Sequence, residues 1–203
     1  MTAGASALAT PTGVGSRGLL GRRAVLVPVK SFGDAKQRLG AALSEEARGL
    51  LVRQMAAGVL AAADPLPYAV VCDDTEVADW ARHHGALVVW EPGRGLNGAV
   101  QAGVEHLAAI GVAYVTVAHA DLPHARGLGT LPPFDGVTLQ PDRHGDGTNV
   151  IRVPADSGFR FTYGPGSFAR HLAECRRLHL PTQVLDVPDL ALDVDSPADL
   201  EWA

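Results

Sequence analysis

The chain has 203 residues, of which 47% are hydrophobic and 19% charged, proportions that suit one ordinary globular domain with a sizeable core. Its 17 Lys and Arg stand against 22 Asp and Glu, a formal net charge of -5. That excludes the broad basic footprint of non-specific nucleic-acid binding, but not a small basic pocket for a phosphorylated ligand. No apolar run approaches the ~18 residues of a membrane-spanning helix.

Residues 1–21 open on small and polar types, MTAGASALATPTGVGSRG, without the charged start and apolar run of a secretory signal. They read as a flexible extension, with 22–203 as a single domain of a cytoplasmic protein. Cys72 and Cys175 lie in no Cys or His spacing that suits zinc, and read as free thiols in a reducing compartment.

The β-branched run over 22–30 predicts a buried strand that feeds a loop. Residues 44–63 predict a helix, with Ser44 as N-cap, Glu45 and Glu46 in the first turn, and Leu50, Leu51, Met55 and Val59 on one face. A strand over 68–74, a short helix ended by Gly85 and a strand over 86–92 follow. The helix over 95–111 starts after a glycine loop and stops at Gly111. A central strand is expected over 113–123, then two more over 136–142 and 148–154. Residues 164–180 predict a helix with Ser167 as N-cap. A strand, a turn and a helix opened by Ser196-Pro197 close the chain. This alternation implies an α/β/α sandwich on a mostly parallel, mixed sheet, with ligands beyond the carboxyl ends of its strands.

Several polar clusters fall at such ends. PVKSFGDAKQRLG brings Lys30, Lys36 and Arg38 after the first strand, suited to a polyphosphate or simply to a solvated basic loop. It lacks the Gly-Lys-Ser/Thr ending of a P-loop. HADLP puts Asp121 after the central strand, where it is placed to hold Mg²⁺ together with substrate phosphates, or to make a turn before Leu-Pro. In LDVDSPADL, Asp193 and Asp195 share one side of an extended segment, a metal cradle or an Asx turn with a capped helix. YGPGSFARH joins a tight turn to a helix start that suits an anion. QPDRHGDGTNVI, residues 140–151, is either a surface turn or a loop built around a charged ligand. In it, Arg143 is a charge partner or a solvated side chain. His119 and His124 flank the Asp121 loop. No nucleophile motif is present, so protein-based covalent catalysis lacks support. A phosphate attacking a nucleoside triphosphate needs none, because positioning and metal-assisted charge neutralisation do most of the work.

VPVKSFGDAKQRL, GLNGAV, HADLP, PDRHGDGTNVI, YGPGSFARH and LDVDSPADL occur in that order. Together they resemble the guanylyltransferases of coenzyme F420 biosynthesis, which act on 2-phospho-L-lactate or phosphoenolpyruvate. The resemblance runs from Arg22 to the C-terminus, and PDR-x-G-x-GTN and GPGS-x-x-x-H are its most specific parts. It implies a nucleotidyltransferase sandwich that joins a phosphorylated three-carbon acid to GMP from GTP, with Mg²⁺ and release of pyrophosphate. Carried over by motif, Asp121, Asp193 and Asp195 would be the metal set, with Asp121, Lys30 and Lys36 catalytic. Thr148, Gly164 and Ser167 would hold the acid. Lys30, Lys36 and Arg38 would face the triphosphate, and Asn97 the nucleoside. Family members often carry Phe at the place of Tyr163 and a larger residue at that of Gly98. The acid could be phosphoenolpyruvate, 2-phospho-L-lactate or 3-phosphoglycerate; the Ala-, Gly- and Arg-rich composition suggests a high-GC bacterium, and the bacterial branch is associated with phosphoenolpyruvate. A labile diphosphate product would be handed to the next transferase of the pathway. The rivals are a nucleotidyltransferase for another acceptor, whose usual glycine-rich opening is replaced here by VPVK, and a non-catalytic nucleotide-binding protein.

Overall fold

The computed structural model describes residues 22–33 and 36–202; the expected extension over 1–21 lies outside them. Seven strands form one sheet: β1 (Arg23–Pro28), β2 (Tyr68–Cys72), β3 (Leu87–Trp90), β4 (Tyr114–Ala118), β5 (Val137–Pro141), β6 (Thr148–Pro154) and β7 (Thr182–Val184). Among the described residues, five α-helices accompany them: α1 (Glu45–Ala62), α2 (Thr75–His83), α3 (Gly95–Ala109), α4 (Ser167–Arg177) and the single turn α5 (Pro188–Ala191). The strand order is β3-β2-β1-β4-β6-β5-β7. β6 runs antiparallel to both neighbours, while every other adjacent pair is parallel. The expected mixed α/β sheet is therefore observed. The chain builds outward from β1 through β2 to β3, then returns to place β4 on the other side of β1. That reversal opens a crevice at the carboxyl ends of β1 and β4.

Apolar alternation along the strands splits the core in two. Val25 and Val27 face one layer, packed under α1 and α2. Ala24 and Leu26 face the other, packed under α3 and α4. α3 sits very close to β1, since a Cβ on Gly103 would lie 2.7 Å from Leu26 Cδ2.

Ser44 caps α1 as expected, accepting from the Ala47 amide at 3.2 Å. The buried stripe of α1 differs from the expected one. It runs through Val52, Met55, Ala56, Val59 and Leu60, while Leu50 is 59% exposed. The i, i+3, i+4, i+7 spacing counted from Val52 is the stripe that meets the sheet. The central strand ends at Ala118, not near 123, because the chain turns out of the sheet at Ala120 and Asp121, ahead of Pro123, which has no amide hydrogen for a ladder bond. In α4 the N-cap is Gly166, in the left-handed region at φ 71, and Ser167 is the first helical residue with no capping side-chain bond. Only a glycine enters the helix at that angle without strain.

Candidate active site

The crevice between β1 and β4 gathers the charged residues. Lys30 follows β1 and is exposed. Lys36 stands in the left-handed region at φ 54, ψ 41, uncommon for a non-glycine residue. Its ammonium bridges two carboxylates from distant segments, one after β4 and one near the C-terminus: it donates to Asp121 Oδ2 and, at 2.6 Å, to Asp195 Oδ1. Burial pulls the Lys36 ammonium down, but the charges and hydrogen bonds of Asp121 and Asp195 outweigh it and leave the group above its ordinary value. Burial likewise pushes Asp121 up, yet Lys36 and His119 hold it below the usual carboxylate range. Arg38 is exposed and makes no ion pair with a described residue.

The C-terminal segment 190–199 is strapped across this crevice by polar anchors. Val194 donates its amide to Asp121 O at 3.2 Å. The Asn149 amide donates to Leu190 O at 3.1 Å and Ala191 O at 3.0 Å, and reaches Asp193 Oδ1 at 3.5 Å. Asp199, 4% exposed, accepts from the amides of Asp195 and Ser196 and from the Ser196 hydroxyl at 2.7–3.0 Å. Arg143, exposed along part of its side chain, completes that knot as the ion-pair partner of Asp199, which is the charge-partner alternative. His124 donates from Nε2 to the carbonyl of Trp202, near the C-terminus.

The segment 140–151 is a turn wound on its own carboxylate. Asp142 accepts from the amides of His144, Asp146 and Gly147 at 2.7–3.0 Å. A Cβ on Gly147 would sit 2.7 Å from Asp142 Oδ2, which is why a glycine stands there. The turn leads into a register slip. Gln140 pairs with Val150 but Pro141 with Thr148, leaving Asn149 as an extra residue on β6. Such a bulge re-aims side chains. It sends Asn149 to the strap on one side and Thr148 to α4 on the other, where Thr148 Oγ1 meets His171 Nδ1 at 3.0 Å. The loop also touches the start of α4: Asp146 accepts from the Gly166 amide at 2.9 Å through its carboxylate, and from the Phe168 amide at 3.0 Å through its carbonyl. The helix start expected to hold an anion thus holds an internal carboxylate. Thr148 and Ser167 are each 2% exposed and adjoin this contact; Gly164 is exposed at φ 113.

On the opposite side of Lys30 a cavity of about 370 Å³ lies over the ends of β1, β2 and β3, walled by Pro28, Cys72, Leu96 and Ala99, with Asp73 and Glu91 at its polar parts. A second cavity of about 200 Å³ shares Pro28, Val29, Lys30 and Leu96 and continues to Lys36, His119 and Asp121. Asn97 commits both ends of its amide to the backbone of Tyr163. Its oxygen accepts from the Tyr163 amide at 2.6 Å and its nitrogen donates to Tyr163 O at 3.4 Å. It therefore ties α3 to the turn before α4.

The structure brings Lys30, Lys36, Asp121, Asp193 and Asp195 to one crevice and gathers Thr148, Gly164 and Ser167 at the start of α4. Sequence reasoning passed over Asn149, Asp199, Asp146 and His171. For Asn149 and His171 a signal existed, in GTN and GPGS-x-x-x-H, but neither motif says what those side chains bind. Among the described residues, no three or more His, Cys, Asp or Glu side chains gather as a metal-binding group. The carboxylates do suit a cation completed by substrate oxygens, which is the usual Mg²⁺ arrangement. Asp121 Oδ1 is buried without a hydrogen bond, and Asp193 is pushed up by burial and by the charges of Asp121 and Asp195.

Residues 23–202 match the family model described as "Guanylyl transferase CofC like". A phosphoenolpyruvate guanylyltransferase of Sphaerobacter thermophilus is 36% identical over 185 residues, covering 87% of this chain and 89% of that protein. A 2-phospho-L-lactate guanylyltransferase of Methanocaldococcus jannaschii is 29% identical over 182 residues, covering 87% and 80%. Among solved structures, a proposed nucleotide-diphospho-sugar transferase from Desulfovibrio desulfuricans superposes with a TM-score of 0.70 at 19% identity, covering 88% of this chain and 84% of the other. A nucleotidyl transferase from Methanothermobacter thermautotroptrophicus gives 0.63 at 14%, covering 89% and 94%. The structures share the fold, and the sequences go further: the chain belongs to the CofC-like guanylyltransferase family.

Proposed function

We propose that the enzyme transfers the guanylyl group of GTP to the phosphate of phosphoenolpyruvate, giving enolpyruvoyl-2-diphospho-5'-guanosine and pyrophosphate for coenzyme F420 biosynthesis. The observation that carries this reading is the Lys36 bridge between Asp121 and Asp195, set beside a cavity of nucleoside size. The nucleoside occupies the 370 Å³ cavity, and the triphosphate runs past Lys30 toward Lys36, with Arg38 at its outer end. The acid lies against Thr148, Gly164 and Ser167, at the helix start beside the Gly166 amide that donates to Asp146, a reading supported by the affinity of helix N-termini for anions. A phosphate oxygen of the acid attacks the α-phosphorus of GTP, the α–β P–O bond breaks, and pyrophosphate leaves with the bonding electrons. The nucleophile is already an anion, so no protein base is required. Lys30 and Lys36 offset the charge that builds on the leaving pyrophosphate. Mg²⁺ would be held by Asp121 with Asp193 and Asp195, and when bound it neutralises phosphate charge and aligns the two reactants. Asn97 serves the nucleoside side by fixing α3 against Tyr163.

Phosphoenolpyruvate is preferred as the acid because relatives named for it, at 36% and 35% identity, are more similar than the 29% identical one named for 2-phospho-L-lactate. The same reading has the enzyme working in the cytoplasm and passing its product to the next transferase. No helix among the described residues is long and apolar enough to cross a membrane. The test is pyrophosphate release from GTP and Mg²⁺ with phosphoenolpyruvate, 2-phospho-L-lactate or 3-phosphoglycerate, coupled to pyrophosphatase and to the next pathway enzyme. Release with phosphoenolpyruvate is expected. Release with another acid alone would reassign the substrate, and silence with all three in a GTP-binding protein would overturn the reading.

A further inference from the structure

We propose that His171 is a positioning residue that fixes the Thr148 hydroxyl as a hydrogen-bond donor toward the phosphorylated acid. The inference rests on the reading of Thr148 as part of the acid site. His171 lies one turn after Ser167 on α4 and is 0% exposed. Its two ring nitrogens have different partners. Nε2 meets the backbone amide of Thr162 at 3.0 Å. An amide N–H can only donate, so Nε2 carries the lone pair, and in a neutral imidazole the proton then belongs to Nδ1. Burial, followed by the charges of Arg170 and His119, pushes the imidazole down to about 4, so it is neutral at ordinary pH. Nδ1–H therefore donates to Thr148 Oγ1 at 3.0 Å.

The consequence falls on Thr148. A hydroxyl has one proton to give and can accept two bonds. Having accepted from His171, Thr148 turns its proton away from the ring, and no described residue takes that proton. Carboxylate and phosphate oxygens are pure acceptors, so the orientation matches an anionic ligand and opposes a donor. The arrangement is held from behind. Arg170 donates to Thr162 O at 2.8 Å and to Gly164 O at 3.3 Å, fixing the turn that supplies the Thr162 amide. The rings of Tyr163 and Phe159, 5.0 and 5.8 Å from that of His171, leave the imidazole few other polar neighbours.

The experiment measures KM for phosphoenolpyruvate and for GTP separately in His171→Gln, His171→Asn, Thr148→Val and the double variant His171→Gln/Thr148→Val. Thermal melts accompany each. His171→Gln removes the donor at the Nδ1 position, and the expected result is about a tenfold rise in KM for the acid with that for GTP unchanged. His171→Asn places an amide N–H where Nδ1–H stood and should recover most of that loss. Thr148→Val should match His171→Gln, and the double variant should be no worse than Thr148→Val alone, since both remove one bond. Equal rises in both KM values for His171→Gln, no rescue by His171→Asn, or additive losses in the double variant would overturn the proposal while leaving the acid site standing. An unchanged acid KM in Thr148→Val would instead bring down the acid-site reading, and this proposal with it.

Discussion

The two sides of the crevice are built by different means. Over β1, β2 and β3 the cavity is shaped by parallel strands and a close-packed helix, and its walls are mostly apolar, with Asp73 and Glu91 at its polar parts. Toward β4 and β6 the site is a set of polar anchors from distant segments, with Lys36 meeting Asp195, Asn149 meeting Leu190 and Arg143 meeting Asp199. The first side depends on packing, so it should tolerate polar changes and resent bulk. The second depends on paired polar groups, and those that are buried, Asn149 and Asp199, are costly to leave unpaired.

The largest effect is expected where charge is removed from the second side. Asp121→Asn should lower kcat by about 10²–10³-fold, because shape is kept while the charge facing the phosphates is lost, and should also lower the thermal midpoint, because Lys36 loses a charge partner. Near-normal turnover would break the assignment. Next comes Asp199→Ala, which strips the strap of three accepted hydrogen bonds and leaves Arg143 unpaired. A loss of about 3 kcal/mol in urea unfolding is expected, with reduced turnover; full activity would show that the strap is not needed to place Asp193 and Asp195.

The polar side should also be the more acid-sensitive through His171. Its native value of about 4 lies below the ordinary 6.5, so between these limits the unfolded chain binds a proton that the native state refuses. Stability from this group is complete above pH 6.5 and is lost as pH falls toward 4, by about 3 kcal/mol. The wild-type melt should therefore fall more steeply than that of His171→Asn over this window, and parallel curves would contradict the buried neutral imidazole.

On the apolar side, Ala99→Leu adds bulk to the cavity wall and should raise KM for GTP about tenfold, leaving that for the acid unchanged. The reverse pattern would place the nucleoside elsewhere. The smallest effect separates structure from function at Tyr163. Its hydroxyl is buried without a partner, so Tyr163→Phe should stabilise the fold by about 1 kcal/mol with kcat and both KM values kept. A loss of activity would assign that hydroxyl to a ligand.

Local chemistry made much of this legible. The strand and helix alternation follows from periodicity, Ser44 caps α1 as its position before Glu45 and Glu46 implies, and Asp121 stands beyond a strand end as HADLP suggests. The motif order pointed to the family. Legibility failed where a side chain's direction depends on a partner far along the chain. Leu50 fits an apolar face when counted along α1 alone, but the sheet meets the stripe through Val52.

Periodicity and motif spacing act over a few residues, so the sandwich, the carboxylates and the family are legible in the chain without its fold. Which groups meet is set by long-range packing: Lys36 spans Asp121 and Asp195, Asn97 binds backbone at Tyr163, and Thr148 faces His171. The last of these turns on a one-residue slip between β5 and β6. A slip reverses the faces of neighbouring side chains without changing any residue type, so it leaves no mark in the composition or period of the strand.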